Sequence, residues 1–279
     1  MNRKQQQKKE TPDPSSAPGK SSPRKKALWW VFFVLAAAVF VIAAWQLIQL
    51  FGQYREAANE YKDLQVYVTL PEDMVSEDSS ENSSAEKETE TITEPVIDFD
   101  SLLAINEDIV GWLIVEAVDL SYPILQSSDN DYYLHRTTEG TYNFAGSIFL
   151  DYQNSPDFSD CNSIVYGHNM KDGSMFGKLK KFRNEEVYSE SLYFWICTPE
   201  ETYLYQIFAA YETAVGSATY TLYDNGGEAF ANYLYYAASC SEIPTEITEF
   251  DGSETIVTLS TCTGNDSTRF VVQGVRIDY

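Results

Sequence analysis

Thr255-Ile-Val-Thr-Leu-Ser-Thr-Cys262 and Arg269-Phe-Val-Val-Gln-Gly-Val-Arg-Ile277 stand near the C-terminus, separated by the six polar residues 263–268. Two β-rich runs around a short polar connection read as an antiparallel hairpin. Cys262 closes the first strand and Arg269 opens the second, so both sit at the mouth of one loop. Paired positions in such a ladder have Cβ atoms roughly 5 Å apart, which sets a thiol beside a permanent cation with a fork of donors. A nearby positive charge favours the thiolate, the reactive form of cysteine. An arginine beside a nucleophile can also hold the oxyanion formed when a carbonyl is attacked. Period-two alternation sets Val257 and Leu259 on one face and Thr258, Ser260 and Cys262 on the other, more polar one. The bland alternatives are a small buried hydrophobe for the cysteine and a solvated or carboxylate-paired arginine.

Working outward, short β-type runs occur at 112–115, 122–125, 146–150 and 162–166. Two more, 192–197 and 202–213, flank Thr198-Pro-Glu-Glu201 and read as a hairpin with a proline-containing turn. Helices are few. Phe99, Leu102 and Leu103 suggest a short one, capped by Asp98 or Asp100. Met175, Leu179 and Phe182 recur at i, i+4, i+7 across 174–182, and Phe230, Leu234 and Ala237 across 226–238 suggest a helix inserted before the cysteine strand. Many short strands between turn signals, with few helices, predict a mainly-β barrel or sandwich.

A base for the thiol must be sought among two histidines. His168 follows the 162–166 strand in the loop Gly167-His168-Asn169-Met170, and strand-end loops are where functional side chains concentrate. His135 lies in Tyr132-Tyr-Leu-His-Arg136, beside an arginine that opposes its protonation. His168 is the better candidate, although a lone histidine is more often structural.

Tyr166-Gly-His-Asn-Met170, Thr258-Leu-Ser-Thr-Cys262 and Arg269-Phe-Val-Val-Gln-Gly-Val275 together resemble the sortases, specifically class B. Gly111-Trp-Leu113, Tyr122-Pro-Ile-Leu-Gln126, Asn130-Asp-Tyr-Tyr-Leu134 and Gly146-Ser-Ile-Phe-Leu-Asp151 extend the similarity over about residues 97–279. The resemblance implies an eight-stranded sortase-type β-barrel with an N-terminal helix and a helix in the connection before the cysteine strand. It implies Cys262 as nucleophile, His168 as general acid/base and Arg269 as oxyanion and substrate-positioning residue. Asn130, Leu134, Tyr166 and Ser260 take the places of substrate-groove residues. The implied reaction cleaves the sorting-signal pentapeptide of a secreted protein through a cysteine thioester. The acyl group then passes to an amine of a Gram-positive cell-wall precursor or pilin, with neither metal nor organic cofactor. Two competitors are a cell-surface cysteine peptidase with water as acceptor and a wall-facing adhesin whose cysteine is inert.

The N-terminal third supplies the expected location. Ala27 to Trp45 is a run of 19 apolar residues, and no charged residue occurs from Ala27 to Tyr54. That length spans about 30 Å of hydrocarbon as a helix, with Trp29, Trp30 and Trp45 placed for interfacial belts. Arg24-Lys25-Lys26 precedes the run, so the positive-inside rule keeps the N-terminus cytoplasmic and exports the rest. The run is longer than a cleaved signal peptide needs and continues into Gln46-Leu-Ile-Gln-Leu-Phe51. The expected organisation is a basic cytoplasmic tail (1–26), a transmembrane anchor (27–50), a juxtamembrane segment with an acidic spacer (51–95) and an extracellular catalytic domain (96–279). Residues 51–70 could be helical, but their pattern is weak. The chain carries a net charge of −23, of which the first 26 residues account for +6 and the remainder for −29. So acidic a body argues against nucleic acid as a partner, since phosphate contacts dominate that affinity, and leaves membrane lipid and the substrate proteins as expected partners. Four cysteines without C-x-x-C spacing suggest no metal site and, if Cys262 is free, at most one disulfide.

Overall fold

A computed structural model of the chain describes residues 23–70, 93–262 and 267–279, with Cys262 described by its backbone. Most of the basic tail (1–22) and of the acidic spacer (76–92) lies outside the described residues. The chain divides into two units, residues 1–51 and 52–279.

Eight strands close into a barrel: β3 (Ile109–Val115), β4 (Leu120–Leu125), β5 (Ile148–Leu150), β6 (Asn162–Gly167), β7 (Tyr193–Cys197), β8 (Thr202–Ala214), β9 (Ile256–Cys262) and β10 (Thr268–Ile277). Around the barrel they run β10-β8-β7-β3-β4-β5-β6-β9, which decides the barrel over the sandwich. A minor pair, β1 (Val68–Thr69) and β2 (Val96–Ile97), stands apart from it. Closure leaves none of the eight strands with a free edge. Most pairings are antiparallel, but β4–β5 and β6–β9 are parallel. A parallel pair cannot be joined by a tight turn, so the chain between β6 and β9 must travel far. That excursion carries β7, β8 and the helix expected before the cysteine strand.

Both faces of β9 and β10 are covered, so residues on both faces of each strand are buried. Val257, Leu259, Phe270 and Val272 belong to the main core. Ile256, Val271 and Val275 meet Phe230, Leu234 and Ala237 of the inserted helix in a second apolar cluster. The polar face of β9 is therefore also interior: Thr258 and Ser260 are buried. Thr258 Oγ1 donates to Asn162 Oδ1 at 2.8 Å and accepts from Gln273 Nε2 at 2.7 Å. Buried hydroxyls are tolerated because they are paired.

Four α-helices are described: α1 (Pro23–Leu64), α2 (Phe99–Ile105), α3 (Glu185–Tyr188) and α4 (Glu228–Cys240). α2 is capped by Asp98, whose carboxylate accepts from Ser101 N. The stretch expected as an α-helix around 174–182 is instead a 3₁₀ helix, Phe176–Arg183, with Phe176, Leu179 and Phe182 buried. These fall every third residue, the repeat of a three-residue turn, whereas Met175 lies just before it at φ 51°.

α1 contains the one described helix long and apolar enough to cross a membrane, with a mean hydropathy of 2.6. Its C-terminal part is far better ordered by packing than its sequence pattern suggested. Ala57, Tyr61 and Leu64, at i, i+4 and i+7, are buried in the barrel's main core. Tyr61 Oη donates to Gly146 O at 2.8 Å, and Asn143 Nδ2 donates to Gln53 O at 2.9 Å. These residues belong to the compact unit that spans 52–279.

Candidate active site

Three neighbouring strands end together. β9 and β10 pair so that Cys262 lies opposite Arg269. β6 runs parallel to β9 with Tyr166 beside Ser260 and Gly167 beside Thr261. The next position along β6 is His168 and along β9 is Cys262. Adjacent strands lie about 4.8 Å apart, so histidine, cysteine and arginine form one row at the barrel rim, with the cysteine backbone in the middle.

A cleft of about 390 Å³ opens on this row. It is lined by Asn130, Leu134, Phe149, Tyr166, Gly167, His168, Val215, Gly216, Tyr220, Ser260, Thr261 and Arg269. Six of the seven site residues named from the sequence line this cleft, and the side chain of the seventh, Cys262, lies outside what is described. Gly167 is required there: a Cβ would meet Ile148 Cδ1 at 2.5 Å and the Phe176 ring at 2.7 Å.

His168 is half-buried and its Nε2 lies 2.8 Å from Leu134 O. A carbonyl only accepts, so Nε2 carries the proton and Nδ1 is the acceptor in the neutral ring. Burial pushes the imidazole below its ordinary pKa, and nearby His135 and Arg269 push the same way, while the bond to Leu134 O pulls back. His135, the lesser candidate in the sequence, stacks on His168 with ring centroids 6.1 Å apart and planes 28° apart. Arg269 donates from Nη1 to Thr268 O at 2.9 Å.

The far wall comes from the β8–α4 connection, which offered no local signal. Tyr220 lies parallel to Tyr166 (centroids 6.5 Å, 8°) and its hydroxyl is 2.8 Å from Ser260 Oγ. This wall is pinned from within: Asn162 Nδ2 donates to Thr219 O at 3.1 Å and to Thr221 O at 3.3 Å. Tyr211 Oη adds contacts to Thr219 Oγ1 and Gln273 Oε1. Among the described residues no cluster of His, Cys, Asp or Glu could hold a metal ion. Cys161, Cys197 and Cys240 are free thiols, and burial pushes the Cys197 thiol up to about 12, as expected of an unreactive core cysteine.

The sortase-domain family model matches residues 113–277, more than half of the chain. The chain belongs to the sortases. Sortase B of Listeria monocytogenes is 39% identical over 176 residues, covering 62% of this chain and 71% of that protein. Sortase B of B. anthracis in complex with AAEK1 superposes with a TM-score of 0.66 at 31% identity, covering 82% of this chain and 100% of that one. A Staphylococcus aureus sortase B–substrate complex gives a TM-score of 0.60 at 30% identity, covering 64% of this chain and 84% of that one. These relatives place the chain in class B, among cysteine transpeptidases, and remove the adhesin reading. The eight-stranded barrel with an N-terminal helix is the architecture shared with the sortase B structures.

Proposed function

We propose that this sortase is a membrane-anchored transpeptidase in which Cys262 is the nucleophile, His168 the general acid/base and Arg269 the oxyanion-binding residue. The row of strand ends carries the reading, because it sets the three residues side by side through backbone register alone. The Cys262 sulfur attacks the carbonyl carbon that precedes the scissile bond of a C-terminal sorting signal, and its thiol proton passes to Nδ1 of His168. The oxyanion so formed takes its hydrogen bonds from the guanidinium. As the tetrahedral carbon collapses, the C–N bond breaks and His168 delivers a proton to the leaving amine, which leaves a thioester on the enzyme. A second amine, from a cell-wall precursor or a pilin, then attacks the thioester and restores the thiol. Asn130, Leu134, Tyr166 and Ser260 hold the peptide along the cleft.

The location follows from the sequence: the apolar run 27–45 anchors the chain, and the basic cluster before it keeps the N-terminus inside. Substrate and acceptor then lie on the outer face with the barrel.

The test is cleavage of NPQTN-, LPxTG- and PPxTG-type peptides by residues 52–279, with and without an added amine. Cleavage of at least one peptide, abolished in Cys262→Ala and yielding amine adduct in proportion to added amine, is expected. No cleavage of any, or equal cleavage by the variant, contradicts the assignment. A product ratio indifferent to amine favours the peptidase alternative.

A further inference from the structure

Asp151 follows β5 and is 5% exposed. Among the described residues it forms no salt bridge. Three donors hold its carboxylate instead. Gln153 N donates to Oδ1 at 3.0 Å, while Asn130 Nδ2 at 2.9 Å and the Tyr166 hydroxyl at 3.0 Å both donate to Oδ2. Two of these three partners, Asn130 and Tyr166, line the cleft. Asn130 is tied at its other end as well, since its Oδ1 accepts from Tyr152 N at 3.0 Å.

A side-chain amide can present either face, and its network decides which. Reversing Asn130 would set its oxygen against the Asp151 oxygen and its NH₂ against the Tyr152 N–H. Both contacts would be like against like, and the bond to the buried Asp151 carboxylate would be lost. The carboxylate is an acceptor on both oxygens when ionised, so it admits one orientation of Asn130 and one of the Tyr166 hydroxyl. Tyr166 therefore spends its proton on Asp151 and offers the cleft its ring.

We propose that Asp151 is a positioning residue that fixes the hydrogen-bond polarity of the cleft wall. It holds Asn130 so that the second Nδ2–H is presented as a donor, and this place receives a carbonyl or carboxamide oxygen of the bound peptide. The inference rests on the peptide-binding cleft proposed above, and names the polarity that one part of it demands. An asparagine at 151 would keep Asn130 held, because turning its NH₂ toward Gln153 N leaves its oxygen to Asn130 and Tyr166. Asp151→Ala removes both acceptor oxygens and should therefore release Asn130.

The experiment uses the Cys262→Ala form of residues 52–279, which binds without turnover, and the three peptides named above. Asp151→Ala is expected to weaken binding of the accepted peptide about tenfold, as is Asn130→Ala, and the double variant should be no weaker than either single one. Additive losses, or unchanged affinity in Asp151→Ala, would overturn the proposal. A second readout needs neither turnover nor the variant's stability. In the nuclear magnetic resonance spectrum, one Asn130 side-chain amide proton should be held and insensitive to peptide while the other shifts on binding. Equal movement of both protons overturns it. Without peptide, Asp151→Ala should merge or broaden this pair of signals, and an unchanged pair overturns the proposal whatever the substrate. If none of the peptides binds while the Asn130 amide remains ordered by Asp151, the sorting-signal reading fails and the positioning role stands.

Discussion

Replacing Gly146 by alanine should damage the barrel and its histidine together, by an amount that the geometry allows to be worked out. Gly146 has φ +58°, and a Cβ there would sit 2.5 Å from Leu134 O, 2.8 Å from Tyr133 O and 2.9 Å from Leu134 C. All three are backbone atoms, and the turn is held by Ser147 N donating to Tyr133 O at 2.9 Å, so no flexible side chain can yield. The left-handed backbone costs a non-glycine residue roughly 1–2 kcal/mol, and forcing a methyl group into a packed site about 1–3 kcal/mol more. A loss of about 2–5 kcal/mol lowers the midpoint of thermal unfolding by roughly 5–15 °C for a unit of this size. Leu134 O is also the acceptor for His168 Nε2 at 2.8 Å. Displacing it by about 1 Å takes that bond out of hydrogen-bond geometry, and losing about 1 kcal/mol of positioning lowers kcat/KM by roughly fivefold. Thermal unfolding followed by circular dichroism, with peptide cleavage measured well below the midpoint, reads both effects. Gly140→Ala is the control: φ is +80° there, but the nearest atom to a Cβ is 3.8 Å away, so only the backbone cost applies. Equal unfolding shifts in the two variants, or unchanged kcat/KM in Gly146→Ala, would refute the reasoning.

Four further outcomes follow from the same geometry. Asn162→Ala leaves Thr219 O and Thr221 O without their donor and Thr258 without its acceptor. It should cost about 2–4 kcal/mol and speed amide hydrogen exchange across 218–221, the far wall of the cleft. His135→Gln removes one influence that lowers the His168 pKa, so the His168 resonance should titrate at higher pH than in the parent chain. A histidine whose folded pKa lies below its unfolded value binds fewer protons when folded. Stability should therefore fall as pH drops below 6.5, the ordinary value, and His168→Gln should flatten that slope. Arg269→Ala should lower kcat by about 10²–10³-fold, with little recovery in Arg269→Lys, since an ammonium lacks the planar fork of donors; full activity in the lysine variant would contradict the role given to that fork.

Much of the fold was legible because its signals are local. Each of the eight strands coincides with an apolar or β-branched run, and Phe230, Leu234 and Ala237 announced the face that α4 buries. The Cys262–Arg269 pairing was readable for the same reason, since one short connection fixes its register. Closure was readable only through the resemblance, because it depends on β6 meeting β9 and β8 meeting β10 across long stretches of chain. The docking face of α1 was weak in sequence because Ala57 and Tyr61 are not strongly apolar, and their burial is secured by hydrogen bonds to the 143–147 turn. The cleft wall around Tyr220 and the carboxylate behind Asn130 had no periodicity to betray them. Asn130 itself was reachable only through resemblance, and what orients it appears only once Asp151 and Tyr152 are brought beside it.

In the proposed reaction the sulfur of Cys262 carries the acyl group. Mass spectrometry of the chain quenched during peptide turnover should show one adduct, equal in mass to the N-terminal fragment of the sorting peptide. Proteolytic mapping should place it on Cys262, and hydroxylamine should release it. An adduct on Cys161, Cys197 or Cys240, or turnover that persists in Cys262→Ala, would contradict the account.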